Sequence, residues 1–432
     1  MRYETNAKTY LKILSGLLAL FLAATSLACK IKGDQVQKTE SVRNPPPARL
    51  YPVYVDGRYG FIDEGGNLKF TLSEDVYTVG NFSEGLVVVA RRVPNTYGRW
   101  GFVDESGKVV IESRFNLAKP FSEGLAAIVV SDHESTSGQV GFIDHSGRIV
   151  IPPQFSQGET VSDFAFSEGI AAVVRHDGKW GYIDKAGKFM IAPQFNYAFP
   201  FSEGRAVVSV GADSYSAKWG VVDKQGHWIV QPRYEGIGEF SEGLAAIRVG
   251  TKVGFIDAQG QMVIEPQFDT GGGCPETMGG IQASKFSEGL AAVQTPPNSG
   301  ALVEVSRKWG FIDRTGKWII KPTYSCVAPF SEGLAVVAIR GKKGSWRFGY
   351  IDKTGAVLME PRLASAGSFY GKLARVGVGL SEDEALIKAI DDYAAGKPKE
   401  KVEKELENNK PQYGYIDRTG RFIWKPTRWI MQ

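Results

Sequence analysis

A five-residue motif recurs along most of this chain and constrains its fold more than any other feature. It reads aromatic-Gly-aromatic-aliphatic-Asp, with small variations, and "WGYID" at 180–184 is one copy. Its nine glycines are Gly60, Gly101, Gly141, Gly181, Gly220, Gly254, Gly310, Gly349 and Gly414. Most are 39 to 41 residues apart, with one gap of 34 and two of 56 and 65. Such a period predicts tandem units that bury their apolar faces against their neighbours.

A second motif, "FSEG", alternates with the first. It occurs seven times, and its glycines are Gly85, Gly124, Gly169, Gly204, Gly243, Gly289 and Gly333. Where an eighth copy would fall, the sequence reads "FYGKLARV" (369–376), which we interpret as a degenerate version. The two motifs together define nine repeats of about 40 residues between Leu50 and the C-terminus.

Each repeat has the pattern of an antiparallel meander. In the second and third copies, "RWGFVD" (99–104), "VVIESRF" (109–115) and "GLAAIVV" (124–130) are rich in strand-forming residues. Asp104 and Gly107 bracket a tight turn, because Asp accepts backbone N–H groups and Gly supplies a positive φ. We therefore predict three strands per repeat, a short fourth strand before FSEG, and an all-β fold.

A glycine recurs inside the motif strand, although an interior Gly weakens a strand unless something packs close to its backbone. Trp100 and Phe102 lie on one face of that strand and Gly101 on the other. We expect a side chain of a neighbouring repeat to come close to this glycine.

These motifs resemble the WG-containing repeat, also called the KWG repeat, which is found in bacterial proteins that are often secreted or lipid-anchored. The resemblance rests on the pattern "KWGFID…G…IxPxF…FSEGLA" and covers nearly everything from Leu50 onward. It implies a tandem β-repeat protein used for interaction, with no shared enzymatic activity and no cofactor.

The sequence is compatible with two arrangements of the repeats. A closed β-propeller-like ring uses four-stranded blades of this length, but typically 4 to 8 of them. The sequence also begins and ends at the same phase of the repeat, which leaves no strand to close a ring. We therefore favour an open, twisted or superhelical array over the ring.

The N-terminus has the pattern of an export signal over residues 1–28. Three basic residues precede an apolar run from Ile13 to Leu27, which is too short to span a bilayer. "TSLACK" resembles a bacterial lipobox and predicts lipidation of Cys29, although Ser26 stands where Leu is commonest. Ser26 and Ala28 also suit ordinary signal peptidase cleavage. We expect a periplasmic or cell-surface protein, anchored to a membrane through lipidated Cys29.

Residues 29–49 are polar and end in a triproline, which is typical of a flexible tether. Cleavage before Cys29 lowers the formal net charge from +4 to +2. A nearly neutral protein gives no electrostatic reason to expect nucleic acid as a partner, or a membrane except through the lipid anchor.

The repeated carboxylates are candidates for glycosidic acid–base chemistry or Ca²⁺ binding. They are the motif aspartates Asp63, Asp104, Asp144, Asp184, Asp223, Asp257, Asp313, Asp352 and Asp417, and the FSEG glutamates Glu84, Glu123, Glu168, Glu203, Glu242, Glu288 and Glu332. Because catalysis needs one specially tuned pair, we favour a structural role in the turns. The four histidines lack metal-ligand spacing, and no nucleophile or phosphate-binding motif is present. We predict neither enzymatic activity nor a metal site.

Cysteines indicate one candidate disulfide. Cys274 and Cys326 follow the last strand of adjacent repeats, where stacking would bring their loops together. An exported protein lies where disulfides persist. The alternative is a free Cys274 in its glycine-rich loop.

The largest departure from the repeat is residues 377–411. "SEDEALIKAIDDYAAGK" begins with the capping box Ser381…Glu384, and a charged helical segment follows at 399–410. We predict a small helical insertion that is either a packed cap or a docking arm.

A second candidate surface consists of aromatic side chains. Trp228 and Trp318 occupy the same place in their repeats, and Trp424 lies on the equivalent strand near the C-terminus. Other copies have aliphatic residues in this slot, which favours a core position. Exposed in a row, these rings would instead form a platform for sugar stacking.

These observations favour a non-enzymatic binding or scaffolding protein at the bacterial cell envelope. It would bind an envelope protein through its repeat loops and helical insertion. The alternative is a binder of envelope polysaccharide or peptidoglycan through the aromatic rows.

Overall fold

A computed structural model describes most of the protein after residue 48. The described residues are 49–131, 138–157, 164–211, 216–270, 285–295, 307–341, 345–380, 384–385, 388–389, 392, 395, 397–409 and 411–428. Residues 48–432 form one compact unit. The predicted signal sequence, Cys29 and nearly all of the tether lie outside the described residues.

The described strands form nine antiparallel repeats, numbered 1 to 9. Eight of them have four strands, and repeat 1 begins at the second strand position. The first strands are β4 (Val76–Ser83), β8 (Leu117–Ala118), β12 (Phe166–Ser167), β16 (Tyr197–Ala198), β20 (Gly236–Ile237), β24 (Phe286–Ser287), β28 (Cys326–Val327) and β32 (Ser365–Ala366). The second strands are β1 (Tyr51–Val55), β5 (Leu86–Arg91), β9 (Ala126–Val130), β13 (Ile170–Val174), β17 (Arg205–Val210), β21 (Leu244–Val249), β25 (Leu290–Gln294), β29 (Leu334–Arg340) and β33 (Leu373–Val378).

The third strands carry the motif glycines, and the fourth strands follow the motif aspartates. The third strands are β2 (Arg58–Ile62), β6 (Arg99–Asp104), β10 (Gln139–Ile143), β14 (Trp180–Asp184), β18 (Lys218–Asp223), β22 (Lys252–Asp257), β26 (Trp309–Ile312), β30 (Trp346–Asp352) and β34 (Gln412–Asp417). The fourth strands are β3 (Leu68–Thr71), β7 (Val109–Phe115), β11 (Ile149–Ser156), β15 (Phe189–Phe195), β19 (Trp228–Tyr234), β23 (Met262–Asp269), β27 (Trp318–Tyr324), β31 (Val357–Leu363) and β35 (Phe422–Arg428). The prediction of tandem all-β meanders is confirmed.

A helix, α1 (Lys399–Asn409), lies in the insertion between β33 and β34. β33 extends through Val378, so the insertion occupies residues 379–411. Across the part of the protein that is described, no helix is both long and apolar enough to cross a bilayer.

The second and third strands form the core because neighbouring repeats cover both of their faces. Every residue of β13 is buried, as the continuous apolar pattern of such strands predicts. One core cluster joins residues of repeats 3, 4 and 5, including Phe142, Tyr182 and Val222. The repeats therefore share their cores, and no repeat has a complete one of its own.

The motif glycine makes room for backbone of its own repeat, which corrects our expectation of a neighbour's side chain. The pairing of β14 with β15 shifts register on both sides of Tyr182, which marks a bulge. A Cβ on Gly181 would lie 2.7 Å from the Ile191 carbonyl oxygen and 2.8 Å from the Pro193 nitrogen. Pro193 lacks an N–H group, so it fits this bulged strand.

Repeats 1 and 9 contact each other with the interactions that join neighbouring repeats. Tyr350 of repeat 8 donates a hydrogen bond to the Gly367 carbonyl of repeat 9, at 2.8 Å. Tyr415, the equivalent residue of repeat 9, donates to the Pro52 carbonyl of repeat 1 at 2.8 Å. Leu373 of repeat 9 shares a buried cluster with Tyr51, Val53 and Ile62 of repeat 1.

We call this junction between repeats 9 and 1 the seam. It closes the repeats into the propeller-like ring that was the alternative to an open array, and our preference for the open array is corrected. Among the described residues, β1 pairs with β2 alone and β35 with β34 alone, so no strand crosses the seam and no barrel forms. The preference failed because it assumed that a ring closes by sharing a strand, whereas this one closes by packing side chains.

Candidate functional site

Strand connections alternate between two faces of the ring because each repeat is an antiparallel meander. One face, which we call the turn face, carries the FSEG turns and the turns that follow the motif aspartates. The opposite face, which we call the loop face, carries the connections from second to third strands and from each fourth strand to the next repeat. The two faces differ in how much their connections vary from repeat to repeat.

On the turn face, all nine motif aspartates are used by their own turns. In each case one carboxylate oxygen accepts the backbone N–H groups two and four residues later. At Asp313, hydrogen bonds from the Thr315 hydroxyl and from the backbone lower the carboxyl pKa. The interpretation of these residues as turn residues is confirmed.

The FSEG glutamates join each repeat to the next. All seven have φ between 53° and 56°, a left-handed conformation that is unfavourable for a side chain with a Cβ. At six of them the carboxylate accepts the N–H of the FSEG glycine in the following repeat, at 2.9–3.2 Å. We had expected these carboxylates to serve their own turns, and the structure corrects this. The strained turn is retained because it points the carboxylate across the junction.

Charges and hydroxyls reinforce the same junctions. Each FSEG serine donates to the carbonyl of the next repeat's turn phenylalanine, at 2.6–3.0 Å. Five FSEG glutamates lie against a basic side chain that follows the next motif aspartate: Glu84–His145, Glu123–Lys185, Glu168–Lys224, Glu288–Lys353 and Glu332–Arg418.

The seam has the same ion pair with its charges reversed. Lys372 stands in the degenerate FYGK turn of repeat 9, and Glu64 follows the motif Asp63 of repeat 1. The Lys372 Nζ lies 2.6 Å from a Glu64 carboxylate oxygen. Gly371, with φ of 69°, replaces the strained glutamate, because repeat 1 has no FSEG glycine for a carboxylate to bind.

Within the described residues, no three His, Cys, Asp or Glu side chains are grouped so that they could hold a metal ion. The repeated carboxylates are already bonded to turns, glycines or basic side chains. The turn face therefore repeats the same structural contacts around the ring.

The loop face carries the connections that vary in length. Those between second and third strands run from two residues in repeat 6 (250–251) to 33 in repeat 9 (379–411). Much of 131–138, 270–285 and 295–308 lies outside the described residues. In repeat 2, residues 92–98 bound a depression of about 620 Å³, where the Tyr97 side chain is 74% exposed.

The helical insertion packs against the ring. Glu384 accepts hydrogen bonds at 2.7 and 2.8 Å from Arg347 on β30. Ala385, Ala389 and Val402 are buried. The described part of the insertion thus behaves as a packed cap, and Ser381 of the predicted capping box lies outside the described residues.

The three candidate sugar-stacking tryptophans are half-buried, and Trp228 and Trp318 each pack on the preceding repeat. The Trp228 ring meets Phe195 edge-on, and Trp318 meets Phe268 in the same way, with ring centroids 6.0 and 5.5 Å apart. Trp424 packs on the buried cluster that repeats 1 and 9 share at the seam. The structure does not bring the three rings together, and their stacking on sugars remains a prediction.

Cys326 is buried in β28 and is disulfide-bonded. Cys274 lies outside the described residues, so the Cys274–Cys326 bridge remains a prediction.

Sequence reasoning missed the tyrosines of the seam. Tyr51, Tyr59, Tyr370 and Tyr415 line a cavity of about 400 Å³ between repeats 9, 1 and 2. The available signal was the degenerate eighth FSEG motif, which places Tyr370 and Lys372 where the other copies have Ser and Gly.

Comparisons with known proteins agree with the repeat geometry. The model of the "WG containing repeat" family matches residues 100–132, 141–180, 180–212, 219–252, 254–273, 309–342 and 348–379. No curated protein sequence matches significantly.

Among solved structures, one described as a eukaryotic initiation factor has a similar fold. It is 10% identical with a TM-score of 0.58, over 88% of this chain and 96% of that one. BamB from Moraxella catarrhalis is 11% identical with a TM-score of 0.39, over 72% of this chain and 90% of that one. The second similarity is too low for comparing folds.

Proposed function

The protein belongs to the WG-containing repeat family, whose model matches more than half of it, and we propose that it is a non-enzymatic binding or scaffolding protein. The observation that carries this proposal is the contrast between the two faces. The turn face repeats the same bonded turns, whereas every connection longer than seven residues begins and ends at strand ends on the loop face. Variable loops on a rigid scaffold are a common arrangement for recognition.

We further propose that the protein acts at the bacterial cell envelope and is held there by lipidated Cys29. The support is the pattern of residues 1–28 and the polar tether after it. The Cys29→Ser variant should then move from the membrane fraction to the soluble fraction of lysed cells. Retention of that variant in the membrane fraction would contradict lipid anchoring.

The binding proposal is tested by cross-linking intact cells and identifying what copurifies with the tagged full-length protein. In a loop-face variant, residues 379–411 are replaced by the two-residue connection of repeat 6. The turn-face control is Lys188→Ala, which changes a side chain on the Asp184 turn. We expect one dominant protein partner that the loop-face variant loses and the control retains. Loss in the control alone would contradict the assignment to the loop face.

The second candidate function is binding of envelope polysaccharide or peptidoglycan. It is favoured by the partial exposure of Trp228 and Trp318 at equivalent positions of two fourth strands. Tryptophan quenching by soluble envelope glycans, reduced in Trp228→Leu and Trp318→Leu, would support this candidate. The absence of quenching in the parent protein would rule it out.

A further inference from the structure

The cavity at the seam lies where a first strand of repeat 1 would be. In every other repeat the second strand pairs with a first strand, which has two residues in all repeats but repeat 2. Among the described residues, β1 has no partner on that side. The space is bounded by Thr78–Asn81 of β4, by β1, and by Gly367–Tyr370 after β32. These are the first strand of repeat 2, the segment after the first strand of repeat 9, and the second strand of repeat 1, so the cavity occupies the position of a first strand that the described residues of repeat 1 do not supply.

The exposed edge of β1 is capped, which excludes an added peptide strand as the occupant. In repeat 5 the Phe199 N–H donates to the Val207 carbonyl at 3.0 Å, and four other repeats have the same bond. Pro52 is the equivalent of Val207, because both lie opposite the residue after the motif glycine. The Tyr415 hydroxyl already donates to the Pro52 carbonyl at 2.8 Å, and proline has no N–H to offer. A peptide cannot form the usual ladder there.

The lining combines aromatic rings, neutral polar groups and a positive charge. Four tyrosines contribute ring surface, and Thr78, Asn81 and Ser368 contribute hydroxyl and amide groups. Among the described residues that line the cavity, Arg375 is the one with an ionised side chain. Its guanidinium lies over the Tyr413 ring, 4.3 Å from the ring centre. A guanidinium has five N–H donors, so it can keep a protein partner and still bind an anion.

We propose that this cavity binds a small sugar acid. The carboxylate of the ligand pairs with Arg375, its C–H face packs on the tyrosine rings, and its hydroxyls bond to Thr78, Asn81 and Ser368. A volume of about 400 Å³ lies within the usual range of small-molecule sites. This site lies at the seam and not on the loop face. A negative result for sugar-acid binding would therefore leave the proposed function unaffected, and the reverse also holds.

The test is isothermal titration calorimetry of the full-length protein with D-glucuronate and with D-glucose at equal ionic strength. We expect glucuronate to bind about ten- to a hundredfold more tightly, because a charge-assisted hydrogen bond contributes that much. Arg375→Gln should remove the difference between the two sugars, and Arg375→Lys should keep part of it. The control is Arg362→Gln, an exposed arginine on β31 that does not line the cavity.

A second variant separates loss of the site from loss of the fold. Ser368→Phe adds a side chain at an exposed position of the lining and should abolish binding of both sugars while the thermal unfolding midpoint stays the same. Equal binding of glucose and glucuronate would overturn the proposal, as would unchanged glucuronate binding in Arg375→Gln and Ser368→Phe. Tighter binding of benzoate than of glucuronate would also overturn it, in favour of an aromatic acid.

Discussion

Single residues in this ring are selected by the contacts of one strand or one turn. The motif glycine leaves space for the bulged fourth strand, and the motif aspartate closes the turn between the two strands. The FSEG glutamate accepts a strained backbone because its carboxylate reaches the next repeat. Each of these roles is local and identical in every copy, which explains why the residues recur.

Replacing a motif glycine should lower stability through overpacking. In Gly181→Ala the new methyl group would meet the Ile191 carbonyl, and we expect a loss of about 1–3 kcal/mol in the free energy of unfolding. The matched control is Gly367→Ala, whose Cβ would meet nothing closer than 3.5 Å and should change little. Urea unfolding measures both. Equal effects of the two substitutions would contradict the role given to the motif glycine.

The strained glutamate allows a comparison of two substitutions at one site. Glu168→Ala and Glu168→Gly both remove the carboxylate that binds the Gly204 N–H, but only glycine relieves the positive φ. We expect Glu168→Gly to be the more stable of the two by about 1 kcal/mol in urea unfolding. If alanine were equally stable, the backbone strain would not be significant.

At the scale of elements, neighbouring meanders are joined by side chains that cross between their turns. Five of the ordinary junctions place a glutamate of one repeat against a basic residue of the next. The seam reverses these charges and adds the hydroxyl of Tyr51, while Tyr415 makes the hydrogen bond that Tyr350 makes at an ordinary junction. Because the seam is the one junction whose two repeats are not consecutive in sequence, its side chains alone decide whether repeats 1 and 9 stay together.

Reversing one charge of the seam ion pair should destabilise the protein, and reversing both charges should restore most of the lost stability. Lys372→Glu and Glu64→Lys each bring like charges together and should lower the free energy of unfolding by up to about 1 kcal/mol, because the pair is partly exposed. The double variant should recover most of the loss. Its control is the same exchange at Glu288 and Lys353 of an ordinary junction. A double variant no more stable than the worse single variant would contradict the pairing.

The junction glutamates also predict a dependence of stability on pH. Burial raises the pKa of Glu168, but hydrogen bonds from the Gly204 N–H and from Lys224 outweigh it, so the net pKa is lowered. The unfolded protein therefore binds protons more readily than the folded ring. The stabilisation is complete above the unfolded value near 4.5 and is lost as pH falls through the lower folded value.

We expect the free energy of unfolding to fall as the pH is lowered through and below the unfolded value near 4.5, and to fall less steeply in Glu168→Gln, which cannot titrate at this position. Urea titrations at a series of pH values measure both slopes. A slope unchanged by the substitution would contradict the role of this carboxylate.

At the scale of the whole molecule, local pattern predicted the repeats and not their closure. The nine meanders and the turn aspartates followed from periodicity and turn chemistry. The ring did not, because it depends on Tyr415 meeting Pro52, which are 363 residues apart. No local sequence pattern indicates that two residues so far apart in the chain are in contact. The cavity was missed for the same reason, since it forms where the first repeat begins at its second strand.

The closed ring is tested most directly by zero-length cross-linking of the dilute full-length protein with a carbodiimide, followed by peptide mapping of the monomer. The reagent joins carboxylates to amines that already form ion pairs. The account predicts a cross-link between Glu64 and Lys372 alongside one between Glu288 and Lys353, which are 2.6 and 2.9 Å apart. The Glu288–Lys353 link without the Glu64–Lys372 link, or the latter only between two molecules, would contradict closure of the ring.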